Sequence, residues 1–293
     1  MKAVDPRLLR HAVAARPFIL LTAAISVVTA ILVVIQAGVL SDTVARAFLG
    51  GAGLAALAGS LSVLAAVVAG RAALVWASEV AAHRAAAAVT AQLRGKLVEH
   101  VLALGPRHPD LPPSGELATL ATRGVDGLDG YFSRYLPQLL AAAVVPLGVG
   151  VRILTADWVS AVIVGLTVPL IPLFMVLIGL HTKVAVSRQW RALAVLGHHF
   201  LDLVAGLDVL SAFGRAGRQT GRIREMTERY RETTLRTLRV AFLSALVLEL
   251  LATLSVALIA VSVGLRLVDG QLDLATGLLV IVLAPEVYLP LRA

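Results

Sequence analysis

Six stretches of this chain are long and apolar enough to cross a lipid bilayer, and no other feature constrains its fold as tightly. They are residues 17–40, 52–70, 135–151, 158–182, 240–265 and 274–291. Crossing the hydrocarbon as a helix takes roughly 20 predominantly apolar residues. The third stretch is the shortest and reaches Leu154 if Arg152 snorkels toward the headgroups. Pro137, Pro146, Pro169, Pro172, Pro285 and Pro290 fall within them; such residues break soluble helices but are tolerated as kinks between membrane helices. Composition agrees: 58% hydrophobic and 15% charged residues, against about 45–50% and 25% in soluble domains, with a mean hydropathy of +0.87. The expected class is an all-α membrane protein.

Charge placement orients it. Arg46, Arg152 and Arg266 are the only basic residues in the three short connections. The N-terminal segment carries Lys2, Arg7, Arg10 and Arg16, the second connection six basic residues from Arg84 to Arg134, and the fourth eleven from Lys183 to Arg239. Positive residues collect on the cytoplasmic side, so both termini and the two long connections are expected there, with 1–16 a short cytoplasmic segment. The pI of 10.7 then reflects topology, and no nucleic-acid partner is expected. A cleavable signal peptide is not expected either, because the apolar run after Arg16 is too long for one. Without cysteine the chain itself carries no disulfide and no thiol chemistry.

The long connections read as helices that continue past the membrane. Residues 79–104 are rich in alanine with no proline, and 183–204 continue likewise. In "RIREMTERYRETTLRTLR" the residues Ile223, Met226, Tyr230, Thr234 and Leu238 recur three or four apart, with Glu225–Arg229 and Glu232–Arg236 as i,i+4 pairs. About 25 helical residues project about 37 Å. Ordering so much chain is costly, so these stalks are expected to touch something in the cytosol. Two punctuated segments, near 114–131 and 206–215, lie at their turning points and suit short transverse helices.

No phosphate-binding loop is present: Gly95-Lys96 has Thr90 where the leading glycine should stand and Leu97 after it. ATP hydrolysis is therefore not expected in this chain, and no catalytic residue is assigned. No metal site is expected: His198 and His199 point about 100° apart on a helix, and no third ligand is spaced to join them. Arg71, Glu249 and Glu286 are ionisable groups inside spans, which usually face the bundle interior or a wet cavity. They are candidates for a substrate pathway, or else pair with each other or with a partner subunit. Arg71 and Glu79 lie two turns apart and are expected to flank an intracellular opening. Trp76 and Trp158 read as interfacial anchors.

Six spans, cytoplasmic stalks and two transverse segments resemble the membrane half of an ATP-binding-cassette exporter. "HHFLDLVAGLDVLSAFGRAGRQ" is similar to that superfamily's second coupling helix, and "SGELATLATRGVDGLDGYFSRYLPQ" to its first. More specific strings resemble the CydD-type subunit of the thiol-reductant exporter required for cytochrome bd assembly. They are "GVDGLDGYFSRYLPQ", "DWVSAVIVGLTVPLIPLFMVLIG" followed by Gln189-Trp190, "AFLSALVLELLATLSVALIAVSVGLRLVDG" and "LAPEVYLPLR". The likeness runs from about Arg7 to Arg292.

The resemblance implies a six-helix exporter transmembrane domain over 17–293, with long cytoplasmic helix extensions and the nucleotide-binding domain absent. In that family "PEVYLPLR" precedes a linker and an ATPase domain, so a domain boundary or a truncated product is expected, with the ATPase, its ATP and its Mg supplied in cis or in trans. It implies a crossed heterodimer with a C-type homologous half-transporter, and export of cysteine or glutathione from the bacterial cytoplasm. Leu207, Asp208 and Phe213 would dock the second coupling helix; Glu116, Arg123 and Asp126 would form the polar rim of the first. Arg71 would serve as counter-charge to an anionic substrate. The C-type subunit itself, a haem-linked transporter of the same fold, and a non-transporting membrane assembly scaffold are the alternatives. A secondary transporter would need broken helices in related halves, and no halved repeat is evident.

Overall fold

The structure is a computed structural model that describes residues 15–105, 117, 121, 124–127, 129–177, 204–206, 213 and 216–292. Six helices carry the fold: α1 (Ala15–Gly50), α2 (Leu54–Leu104), α3 (Leu136–Ala156), α4 (Trp158–Thr167), α5 (Ala216–Val268) and α6 (Leu274–Arg292). A π-helical turn, Tyr131–Tyr135, leads into α3. All six are long and apolar enough to span a bilayer once α4 is counted through the turn at Val168 and Pro169 to Leu177. No strand occurs among the described residues.

The stalk reading holds where it can be followed. α2 runs 51 residues without a break, and α5 runs 53. At 1.5 Å per residue each is about 75–80 Å long, against about 30 Å of hydrocarbon. The expected continuation over 183–204 lies outside the described residues. α1 departs from expectation by continuing ten residues past Leu40. Its polar residues do not break it, because Ser41 and Thr43 donate their hydroxyls to the Gly38 and Val39 carbonyls. The helix stops only at Gly50, where Gly51 takes a positive φ of 58° that costs glycine nothing.

The described chain forms two compact units, one up to Gly165 together with Val256–Leu291, the other Leu166–Ser255 with Arg292. In the first, α1 lies against both α2 and α3. Gly148 permits the α3 approach: a Cβ there would stand 3.3 Å from the Ala30 Cβ. Such small-residue contacts matter in lipid, where close packing replaces the hydrophobic drive between helices. Phe18 of α1 and Phe132 of the π-helical turn meet a small-residue stripe of α2, Ala82, Ala86 and Val89, with Leu136 closing the cluster. α6 buries Val280, Leu283, Ala284, Val287 and Tyr288 in the same unit. The outward faces stay apolar, with Leu20, Ile31, Leu147, Leu154, Trp76 and Trp158 among the exposed side chains. In water that would be an aggregation hazard; for a spanning bundle it is the lipid-facing surface.

Candidate functional site

Arg71 lies half-buried in α2 and joins three helices of the first unit. Its guanidinium donates to Gln36 Oε1 of α1 at 2.7 Å and to both carboxylate oxygens of Glu286 of α6, at 3.2 and 3.5 Å. Arg71 and Glu286 thus pair with each other in this structure. Gln36 carried no sequence signal, because a lone amide in a membrane helix has no defined partner spacing. Arg71→Ala is expected to destabilise the domain by roughly 1–3 kcal/mol, the penalty for an orphaned part-buried group. Adding Glu286→Gln should recover part of that loss. Thermal unfolding of both variants in detergent checks the pairing; additive losses would contradict it.

The third intramembrane candidate behaves separately. Glu249 is exposed on α5 and accepts from Arg292 within the second unit.

Asp157 and Arg266 form a second ion pair in the first unit, one that periodicity did not reveal. Asp157 stands alone between α3 and α4 with an extended backbone. Its N–H ends α3 on the Ile153 carbonyl, and its own carbonyl accepts the first α4 bond from Ala161. Its carboxylate caps α4 by accepting from the Ser160 N–H and hydroxyl, and takes both Arg266 amino groups at 2.8 and 2.9 Å. The Asp157 side chain is 2% exposed. The Arg266 guanidinium, helped by Ser160 against the cost of burial, holds its carboxyl down at about 2 from an ordinary 3.8. The Asp-x-x-Ser pattern before an apolar run was the available signal for the cap; nothing local signalled the arginine 109 residues away.

A cavity of about 320 Å³ opens among α1, α2 and α3 of the first unit. Glu79 and Ser78 of α2, Ser133 and Arg134 of the π-helical turn, and Gln138 of α3 contribute its polar lining. Glu79 borders this cavity, whereas Arg71, expected beside it, does not line it and is taken up by Gln36 and Glu286. π-helical turns add a residue to a helical turn and recur at functional sites; here the turn supplies two of the polar lining residues.

Of the residues expected to couple to an ATPase domain, Asp126 is described and accepts from Arg94 of α2 at 2.8 Å, while Arg94 also donates to the Ala121 carbonyl. This fastens the first segment to the stalk. Phe213 is exposed. Glu116, Arg123, Leu207 and Asp208 lie outside the described residues. Among the described residues no cluster of three His, Asp or Glu side chains could hold a metal ion.

Six spanning helices, two of them continuing far beyond bilayer thickness, define a polytopic helical membrane domain of the transporter type. Residues 17–286 match the ABC transporter transmembrane region, and the chain belongs to that family. It is 37% identical over 154 residues to the glutathione/L-cysteine transport system ATP-binding/permease protein CydD of Escherichia coli, covering 53% of this chain and 26% of the relative. It is 33% identical over 216 residues to the transport ATP-binding protein AarD of Providencia stuartii, covering 74% and 37%. It is 34% identical over 207 residues to the glutathione/L-cysteine transport system ATP-binding/permease protein CydC of Bacillus subtilis, covering 71% and 36%. The matches thus span about a quarter to just over a third of the length of these curated relatives.

Proposed function

We propose that this chain is the membrane-spanning half of a heterodimeric, ATP-driven exporter that moves cysteine- or glutathione-type thiols from cytoplasm to periplasm in support of cytochrome bd assembly. The observation that carries the reading is the similarity to both CydD and CydC transport proteins on an ABC transmembrane fold. In this reading the chain sits in the bacterial inner membrane with both termini cytoplasmic, supported by the arginine-rich long connections. ATP and Mg act on an ATPase domain in cis or in trans.

The mechanism is alternating access. ATPase domains close on ATP, the segments near 114–131 and 206–215 receive the motion, and the stalks lever the spans from inward-open to outward-open. The Asp157–Arg266 pair then lies at the periplasmic end, and Arg71 with Glu286 forms the fixed charge of the pathway. Arg71 serves as a counter-charge to an anionic substrate at a point of its path separate from the α1–α2–α3 cavity, and Glu249 is a further candidate residue for that path.

Replacing Asp208 and Phe213 by alanine in the complete complex tests the coupling. ATP turnover is expected to persist while transport per ATP falls at least tenfold. Transport coupled as before would place the socket elsewhere. Expressing the full-length subunit without its C-type half tests the pairing: thiol accumulation should require both, and accumulation by one alone overturns the heterodimer.

A further inference from the structure

Two opposite charges at the mouth of the α1–α2–α3 cavity do not pair with one another. Glu79 and Arg134 both border it from its solvent-exposed rim, and neither has an ion-pair partner among the described residues. On the α1 wall Thr22 and Ser26 donate their hydroxyls to the Phe18 and Thr22 carbonyls, so their oxygens are left to accept. The volume of about 320 Å³ is at the small end of the range for ligand pockets, about 300–1,000 Å³. Such a space suits a compact molecule with one positive and one negative group.

We infer that this cavity binds an α-amino-acid zwitterion, with the Arg134 guanidinium on its carboxylate and the Glu79 carboxylate on its ammonium. A planar guanidinium meets a carboxylate through two parallel N–H bonds. An ammonium leaving water needs a compensating anion and acceptors, which Glu79 and the Thr22 and Ser26 oxygens supply. Gln138 and Ser133 add neutral donors and acceptors beside Arg134. Leu74 and Val145 leave an apolar wall for the ligand's side chain. The inference rests on the thiol-export reading for the identity of that side chain. Free cysteine and the γ-glutamyl end of glutathione share the zwitterion.

The test uses the complete heterodimer in nanodiscs and reads ligand-induced shifts in melting temperature. Cysteine and serine should both stabilise the wild type. N-acetylcysteine lacks the ammonium and cysteamine lacks the carboxylate, so each should need roughly ten- to hundredfold more ligand for the same shift, the worth of one charge-assisted contact. Glu79→Gln should weaken cysteine by that factor and leave N-acetylcysteine unchanged; Arg134→Gln should weaken cysteine and leave cysteamine unchanged. Glutathione acting like cysteine assigns the γ-glutamyl end to the site, and cysteine acting without glutathione assigns the free amino acid. The wild-type ligand series decides the matter even if a variant fails to assemble. Equal responses to cysteine, cysteamine and N-acetylcysteine, or no response to any, would overturn the site. Serine and cysteine protection without ATP-driven thiol accumulation would leave the site standing and remove the export reading; thiol accumulation without ligand discrimination would do the reverse.

Discussion

Asp157→Ala is expected to destabilise the membrane domain by about 2–4 kcal/mol, because it leaves a part-buried arginine, 20% exposed, without its partner and uncaps a helix in one step. The Asp157 carboxylate receives both Arg266 amino groups as well as the Ser160 N–H and hydroxyl. Loss of the cap alone costs about 1 kcal/mol; the orphaned guanidinium supplies the larger share. At roughly 2–4 °C per kcal/mol for domains of 150–250 residues, the melting temperature should fall by about 10 °C. Arg266→Ala/Asp157→Ala should recover part of this, since removing both partners leaves no unpaired charge. A drop below about 1 kcal/mol would contradict the burial described for Asp157.

The same pair gives a pH signature with a defined sign. The carboxyl is held at about 2, below its ordinary 3.8, so the stabilisation is complete above about pH 4 and is lost as pH falls toward 2. The difference corresponds to about 2 kcal/mol. The stability gap between wild type and Asp157→Asn should therefore be constant near neutrality and narrow below pH 4. A gap that widens on acidification would contradict it.

Phe132→Ala is expected to cost about 3–5 kcal/mol, the usual loss for a buried phenylalanine. Phe132 is fully buried against Phe18, Ala82, Ala86, Val89 and Leu136, and sits edge-on to Tyr131 with ring centroids 5.2 Å apart. The α2 wall facing the ring is mostly alanine, with Leu93 packed at its edge, so little side chain is at hand to fill the void. Because the ring anchors the π-helical turn carrying Ser133 and Arg134, the variant should lose transport along with stability. Phe132→Leu conserves more volume and should cost less than about 1.5 kcal/mol. Trp76→Ala, at a side chain 68% exposed, should change unfolding by much less. Equal effects at Phe132 and Trp76 would contradict the assigned core.

These positions mark how far the sequence could be read. The spans were legible because a bilayer demands a minimum apolar length, and the stalks because alanine-rich, proline-free sequence prolongs a helix. The apolar run stops at Leu40 but α1 does not, because apolar length marks only the membrane span and Ser41 and Thr43 bond back to the preceding turn. Arg71, Glu249 and Glu286 were visible as charges in apolar surroundings. Their pairing was not, since Arg71 and Glu286 are 215 residues apart and helix periodicity relates only near neighbours. The π-helical turn left no trace in the apolar pattern, so Arg134 read as one more cytoplasmic arginine. Glu79 was placed beside an opening by its position, but the second charge across from it was not.

The central claim is tested most directly in inside-out vesicles holding the full-length subunit and its C-type partner, by following labelled cysteine and glutathione. ATP-dependent accumulation that disappears with an ATPase-dead partner is the result predicted here. No accumulation of either thiol, with ATP turnover that responds to haem instead, would contradict it.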